Sequence, residues 1–154
     1  MNSIEEKLKT LGIVLPTPMK PVGNYVPWVK SGNMVYISGQ GAVVEGKVQY
    51  PGKLGDTVSL DEGTQSARLT GINVLAQLRE ASDGDLSKVK RIVKLVGFVA
   101  CTPEFTDQPK VINGASDLMA EVFGERGRHA RSAVGVTALP MNLSVEIEAI
   151  VELE

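Results

Sequence analysis

The residues best suited to chemistry lie at positions 124–131, the segment GERGRHAR. This segment holds Arg126, Arg128 and Arg131 together with His129, the only histidine of the chain. Because the planar guanidinium of arginine binds carboxylates and phosphates through paired hydrogen bonds, the segment is a candidate anion site. The alternative is a solvent-exposed loop whose cations complement the negative end of a preceding helix dipole. Arg131 stands apart because it adjoins an apolar strand, where a partly desolvated charge needs a partner.

Other reactive side chains admit two interpretations each. Glu146 and Glu148 could supply a carboxylate for proton transfer or water positioning, but they also fit the solvated face of an edge-exposed strand. His129 could act as a general base or be solvated within its arginine-rich loop. Cys101 follows an apolar run, which favours a small buried side chain over a nucleophile. A serine nucleophile lacks the GxSxG motif that would support it.

The composition excludes several classes of protein. The chain has 154 residues, one cysteine and one histidine, which rules out an intrachain disulfide, a CxxC site and a multi-histidine metal site. A net charge of -2 is unlike that of basic nucleic-acid-binding domains. No apolar run approaches the roughly 20 residues of a membrane span, and the first ten residues lack a signal-peptide core. We therefore expect one cytoplasmic domain with no metal or cofactor.

Hydrophobic periodicity indicates which elements must position these side chains. A helix is predicted near residues 3–11, and prolines then mark an extended stretch in which Tyr25 and Trp28 either line a pocket or fix the segment to the core. Ser59 and Glu62 have the spacing of a capping box, and Pro109 suits the first turn of another helix. The predicted order is helix, strand, hairpin, helix, strand, helix, strand, strand, with strands at 34–38, 92–100, 132–138 and 145–154 and a hairpin at 43–48. The run at 92–100 is apolar enough for a strand buried on both faces. This order predicts one α+β domain with helices on one face of a sheet.

The last third of the chain resembles a known family. Residues 131–134 (RSAV), 139–140 (LP) and 145–150 (VEIEAI) resemble the closing motif of the Rid family of reactive-intermediate deaminases, also called the YjgF family. Similar stretches occur at 23–26 (GNYV), 33–40 (NMVYISGQ) and 65–68 (QSAR), and at 92–100 with 104–105. Together these stretches cover most of residues 23–151.

This resemblance implies a chorismate-mutase-like α+β fold with two main helices on one face of a mixed sheet. It implies a domain at residues 21–154, preceded by a helical extension at 1–20 that shorter members lack. It also implies a homotrimer with a pocket at each subunit interface. Family members hydrolyse enamines and imines such as 2-aminoacrylate to 2-keto acids and ammonia, without a cofactor.

The resemblance also assigns residue roles by motif. Arg131 would bind the substrate carboxylate, and Glu146 would position or activate water. Ser38 and Gly39 would shape the pocket. Lining residues would include Tyr25 and Asn113, which an interface pocket would bring to Arg131 of a neighbouring chain. Hydrolysis of an imine suits such a sparse set because its carbon is already electrophilic, so that orientation and proton transfer suffice.

Two other functions remain open at the level of sequence. Ala133 stands where the family often has a cysteine, two residues after the arginine, and residues 124–129 carry extra charge. These departures motivate a non-catalytic trimeric module that binds small carboxylates. An endoribonuclease is a further alternative, since that activity is attributed to some relatives. The negative net charge and the lack of a basic, aromatic surface weigh against nucleic acid as a partner.

Overall fold

A five-stranded mixed sheet forms the centre of the computed structural model, which describes residues 3–18, 20–21 and 23–154. Its strand order is β1-β2-β7-β5-β6; only β5 and β6 are parallel, and the other neighbours are antiparallel. Short 3-10 turns lie at Leu86–Lys88, Gly124–Gly127 and Pro140–Asn142. The main elements are α1 (Ser3–Thr10), β1 (Trp28–Ser31), β2 (Met34–Gly41), β3 (Val43–Val44), β4 (Lys47–Val48), α2 (Leu60–Ala81), β5 (Val89–Ala100), α3 (Gln108–Phe123), β6 (Ala130–Val136) and β7 (Val145–Leu153). This arrangement confirms the predicted α+β class.

Helices α2 and α3 pack against one face of the sheet, as the sequence predicts. At the start of α2, the Glu62 amide donates to Ser59 Oγ at 3.1 Å and the Ser59 amide donates to Glu62 Oε1 at 3.0 Å. The predicted capping box is therefore confirmed, and it satisfies two amides that have no partner within the helix. Helix α3 carries Pro109 in its first turn and ends at Gly124, whose φ of 63° is one that glycine tolerates.

The two faces of the sheet differ sharply. Val145 and Ile147 of β7 are fully buried beneath the helices, whereas Glu146 and Glu148 alternate with them and face the opposite side. We call that opposite side the open face. Val96 pairs with Glu148 and Phe98 with Glu146, so these apolar side chains of β5 share the open face and are half-buried. The expectation that β5 is buried on both faces is thus wrong for the single chain.

Strand β2 continues beyond the predicted limit of Ser38. It reaches Gly41, with a β-bulge between Ile37 and Gln40. The extended stretch before it contains a short strand, β1, which the sequence analysis did not predict because prolines interrupt that stretch. The predicted hairpin of β3 and β4 is confirmed, with Glu45 and Gly46 at its turn.

The N-terminal helix α1 joins the hydrophobic core. Ile4 and Leu8 are each 3% exposed, and the helix contacts α3 and the turn that precedes β5. The expected extension at 1–20 is described over 3–18 and at residue 20. Within the described ranges, no helix combines the length and apolar character needed to cross a membrane.

Candidate functional site

Four of the residues assigned by motif meet in one cavity of about 390 Å³. Tyr25, Ser38, Gly39 and Glu146 line it, and we call it the Glu146 cavity. Prolines and aliphatic side chains form much of the remaining wall. These four residues come from the segment before β1, the bulge of β2 and the start of β7.

Gly39, in the bulge of β2, leaves room for the Glu146 carboxylate because it has no Cβ atom. A Cβ atom at Gly39 would lie 2.7 Å from Glu146 Cδ and 2.8 Å from Oε2, closer than real Cβ contacts allow. The bulge is fixed because the amide and hydroxyl of Ser38 both donate to the carbonyl of Pro27, at 2.9 and 3.1 Å. The same bonds hold the segment that carries Tyr25 against β2.

Glu146 is half-buried, and its environment favours the neutral acid. Burial raises the pKa of the Glu146 carboxyl above its ordinary value, and the negative charge of Glu148 raises it further. A carboxylate whose pKa moves toward neutrality is a stronger proton acceptor once ionised. Glu146 therefore has the position and the basicity to take a proton from a water molecule in the cavity.

The other two assigned residues, Arg131 and Asn113, lie in a separate surface cleft of about 800 Å³. We call it the Arg131 cleft. Arg131 Nη1 donates to Asn113 Oδ1 at 2.8 Å and to Ser116 Oγ at 3.1 Å, which ties β6 to α3. His129 Nε2 lies 2.9 Å from the same Ser116 Oγ. Asn113 thus accompanies Arg131 in one chain and does not need to reach it from a neighbour.

The remaining arginines of the loop make different contacts. Arg126 donates to the carbonyl of Val89 at 2.9 Å, and Arg128 lies 3.5 Å from the carboxylate of Glu125. Arg128 is exposed and also lines the Arg131 cleft, whereas Arg126 does not. Of the three arginines, Arg131 is the one that donates to side chains of α3.

The Glu146 cavity and the Arg131 cleft open on opposite sides of the sheet. Arg131 pairs with Leu95, a core residue beneath the helices, whereas Glu146 is on the open face. Phe98 of β5 pairs with Glu146 on β7 and with Val134 on β6, so Val134 lies two strands across the sheet from Glu146. Arg131 lies three residues before Val134 along β6. Those offsets amount to about 10 Å in each direction. One small substrate cannot touch both side chains within a single chain.

The structure places two further residues beside Arg131. Ser116, which no sequence motif indicates, lies one helical turn after Asn113 and so shares its face. His129, for which a solvated loop position is one expectation, is half-buried and hydrogen-bonded. Its spacing of two from Arg131 in extended backbone was the available signal, because such residues share a face.

Two further sequence interpretations are settled by burial. Cys101 is a buried free thiol in the core, and Trp28 packs against the core, whereas Tyr25 is 56% exposed beside the cavity. No group of three or more histidine, cysteine or acidic side chains that could hold a metal ion occurs among the described residues.

Comparison with known proteins identifies the family. Residues 5–153 match the family model described as "YjgF/chorismate_mutase-like, putative endoribonuclease". The chain belongs to the YjgF/chorismate mutase-like family. Protein TCP17 of Trypanosoma cruzi is 46% identical over 151 residues, covering 97% of this chain and 94% of that protein. A 2-iminobutanoate/2-iminopropanoate deaminase of Dermatophagoides farinae is 33% identical over 144 residues, covering 92% and 96%.

Solved structures of family members confirm the chorismate-mutase-like fold. Protein Atu1372 of Agrobacterium tumefaciens, a protein of unknown function, is 51% identical with a TM-score of 0.92, over 98% of this chain and 92% of that one. Escherichia coli TdcF, solved with bound serine, is 25% identical with a TM-score of 0.63, over 90% and 94%. The family resemblance inferred from the closing motif is therefore confirmed.

Proposed function

We propose that this chain hydrolyses reactive 2-imino acids, and the enamines that tautomerise to them, to 2-keto acids and ammonia. The observation that carries the proposal is Glu146, a half-buried carboxylate of raised pKa in a cavity of about 390 Å³. A cavity of this size admits a small organic acid and a water molecule. The 33% identity to a protein named 2-iminobutanoate/2-iminopropanoate deaminase supports the same chemistry.

The reaction needs few protein groups. Glu146 takes a proton from water as the water oxygen bonds to the imine carbon, and the imine nitrogen takes up a proton, giving a carbinolamine. The C–N bond then breaks, ammonia leaves with the electron pair and a further proton, and the hydroxyl loses its proton to become the keto oxygen. Arg131 binds the carboxylate of the imino acid with two parallel hydrogen bonds, which fixes the imine carbon near the water.

We propose that a second copy of the chain completes each site, within a homotrimer. The Glu146 cavity of one subunit then faces the Arg131 cleft of the next, and Asn113 enters together with Arg131. The placement of the two groups on opposite faces of the sheet supports this arrangement, because a site within one chain lacks either the base or the clamp. The half-buried Val96 and Phe98 of the open face supply apolar surface for association. In this proposal residues 21–154 form the catalytic domain, and 1–20 an extension whose helix α1 packs onto it.

Activity measurements on purified protein test the chemistry. An amino-acid oxidase acting on alanine generates 2-iminopropanoate. Its hydrolysis is followed by the appearance of pyruvate, or by the decrease in the adduct that the remaining imine forms with a trapping reagent. We expect the wild-type chain to accelerate hydrolysis, and Arg131→Ala and Glu146→Gln each to abolish the acceleration. Lys88→Gln removes an exposed charge from the turn before β5, outside both the cavity and the cleft, and serves as the control with full activity. Wild-type protein that binds pyruvate without accelerating hydrolysis of any imine tried would instead favour the carboxylate-binding module.

Mixing the two inactive variants tests the shared site. If Arg131 and Glu146 act across an interface, unfolding and refolding Arg131→Ala and Glu146→Gln together restores activity, because some interfaces then combine an intact arginine with an intact glutamate. With random assembly of equal amounts, about a quarter of the interfaces are complete. No recovery above the separate variants, in a mixture whose mass shows mixed oligomers, would place both residues in one chain's site.

A further inference from the structure

The hydrogen bonds of the only histidine fix its tautomer. His129 Nδ1 lies 2.7 Å from the carbonyl oxygen of Gly127, which can only accept, so Nδ1 carries the proton. Nε2 is then the acceptor for the hydroxyl of Ser116 at 2.9 Å. Burial lowers the pKa of the His129 imidazole, although the Gly127 bond opposes this, and the charge of Arg131 lowers it further. The lowered pKa favours the neutral imidazole, the form in which Nε2 accepts from Ser116.

A close packing contact sets the position of His129. A Cβ atom at Gly127 would collide with the carbonyl oxygen of Met119 in α3, so only glycine allows the 3-10 turn to lie against the helix. This contact brings the Gly127 carbonyl and His129 over the helical face that carries Ser116. His129 is thereby desolvated and bonded at both ring nitrogens.

The network determines which atoms of Arg131 remain available. With its hydrogen committed to His129, the Ser116 hydroxyl turns a lone pair toward Arg131 Nη1, 3.1 Å away. Asn113 Oδ1 accepts from the same Nη1 at 2.8 Å. Within the described part of the chain, Nη2 and Nε of Arg131 have no hydrogen-bond partner, and these two atoms form the edge of the guanidinium that binds a carboxylate through paired bonds.

We propose that His129 and Ser116 are positioning residues that hold Arg131 with its Nη2–Nε edge directed at a substrate carboxylate. Ser116 acts on Arg131 directly, and His129 acts through Ser116 by fixing the direction of its hydroxyl. Neither residue touches the reacting imine. This inference rests on the proposed function for its effect on turnover, but its effect on carboxylate binding can be measured separately.

Binding of pyruvate tests the proposal without relying on catalysis. Calorimetry compares wild type with Ser116→Ala, His129→Leu and His129→Gln, and with Lys88→Gln, which lies outside the cleft, as a control. A hydrogen bond to a charged group supports an increase of about tenfold in the pyruvate Kd for Ser116→Ala and His129→Leu. His129→Gln keeps an acceptor for the Ser116 hydroxyl and should retain most of the affinity. In the imine assay we expect the same variants to raise KM and to change kcat little.

Nitrogen-15 spectra of the imidazole report its tautomer and its hydrogen bond to Ser116, while pyruvate affinity in folded variants, with rescue by His129→Gln, separates positioning of Arg131 from a purely structural role. Because the chain has a single histidine, its ring signals need no assignment. We expect the neutral Nδ1–H tautomer in wild type and a shift of the Nε2 resonance in Ser116→Ala, where its donor is lost. Melting temperatures identify any variant that fails to fold. If His129→Leu fails to fold, His129→Gln and Ser116→Ala still test the proposal.

The outcomes separate this inference from the proposed function. Wild-type affinity for pyruvate in Ser116→Ala overturns the inference, and so does an unchanged Nε2 resonance, while imine turnover by wild type leaves the function standing. Weakened pyruvate binding in a protein that hydrolyses no imine supports the inference and refutes the function. If wild type binds no pyruvate, the inference falls, and the function is judged by imine turnover alone. Detection of an acyl group on Ser116 after incubation with an activated ester would also overturn the inference, because it would make Ser116 a nucleophile.

Discussion

Replacing Gly39 with alanine should displace the Glu146 carboxylate while leaving the fold intact. The new Cβ would lie 2.7 Å from Glu146 Cδ, 2.8 Å from Oε2 and 2.9 Å from Cγ, whereas ordinary contact begins at 3.4 Å. The carboxylate must therefore retreat by roughly 0.7 Å. A misplacement of about 1 Å costs on the order of 10²-fold in rate, so we expect kcat to fall roughly 20- to 100-fold. The φ of Gly39 lies outside the left-handed region, so alanine fits the backbone there.

Steady-state kinetics on 2-iminopropanoate measures this effect, with KM expected to change less than about threefold because Arg131 still binds the carboxylate. Gly135→Ala is the matched control: its Cβ would lie 2.7 Å from Cys101 Sγ, on an edge strand away from Glu146, and kcat should persist. A wild-type kcat for Gly39→Ala would refute the argument.

Three further changes probe the clamp, the base and the scaffold. Arg131→Lys keeps the charge but loses the paired bonds, so KM for the imine, measured from initial rates, should rise about tenfold or more. An unchanged KM would contradict the binding of the substrate carboxylate by Arg131. Glu146 acts as the ionised carboxylate, so kcat should fall as the pH drops through its raised pKa. Glu148→Gln removes a negative charge that raises this pKa, and should therefore shift the acidic limb of the pH–kcat profile to lower pH. A shift to higher pH would refute the assignment of Glu146 as the base. Ser59→Ala removes the cap of α2 and should lower the free energy of unfolding in urea by about 1 kcal/mol with kcat unchanged; no loss of stability would show that the capping bond contributes nothing.

The elements with strong local signals could be predicted from the sequence. The capping box of α2, the alternation in β7 and the hairpin turn each depend on neighbouring residues and appear as expected. The bulge of β2 was not predicted, because it is defined by the pairing of β2 with β7. The need for glycine at position 39 likewise arises only where Glu146 of β7 approaches it. Strand β1 was hidden because its four residues follow several prolines and gain their pairing from β2.

The candidate site was predictable as a set of residues but not as a geometry. The closing motif indicated Arg131 and Glu146 as site residues. That their side chains lie on opposite faces of the sheet depends on the registers of β6 and β7 with β5, which local sequence does not determine. The burial of His129 likewise follows from a contact between Gly127 and α3, distant in sequence from the motif. Without that contact, a histidine among arginines is most simply a solvated side chain.

The partners of Arg131 orient its charge without neutralising it. Arg131 donates to Asn113 and Ser116, both uncharged, and within the described residues it has no ion-pair partner. Both bonds use Nη1, so the Nη2–Nε edge keeps its full capacity to bind a carboxylate through paired bonds. In the proposed homotrimer this edge holds the substrate carboxylate, and Glu146 of the neighbouring subunit, with its raised pKa, is the proton acceptor. The clamp and the base therefore act on one substrate only once two chains have assembled.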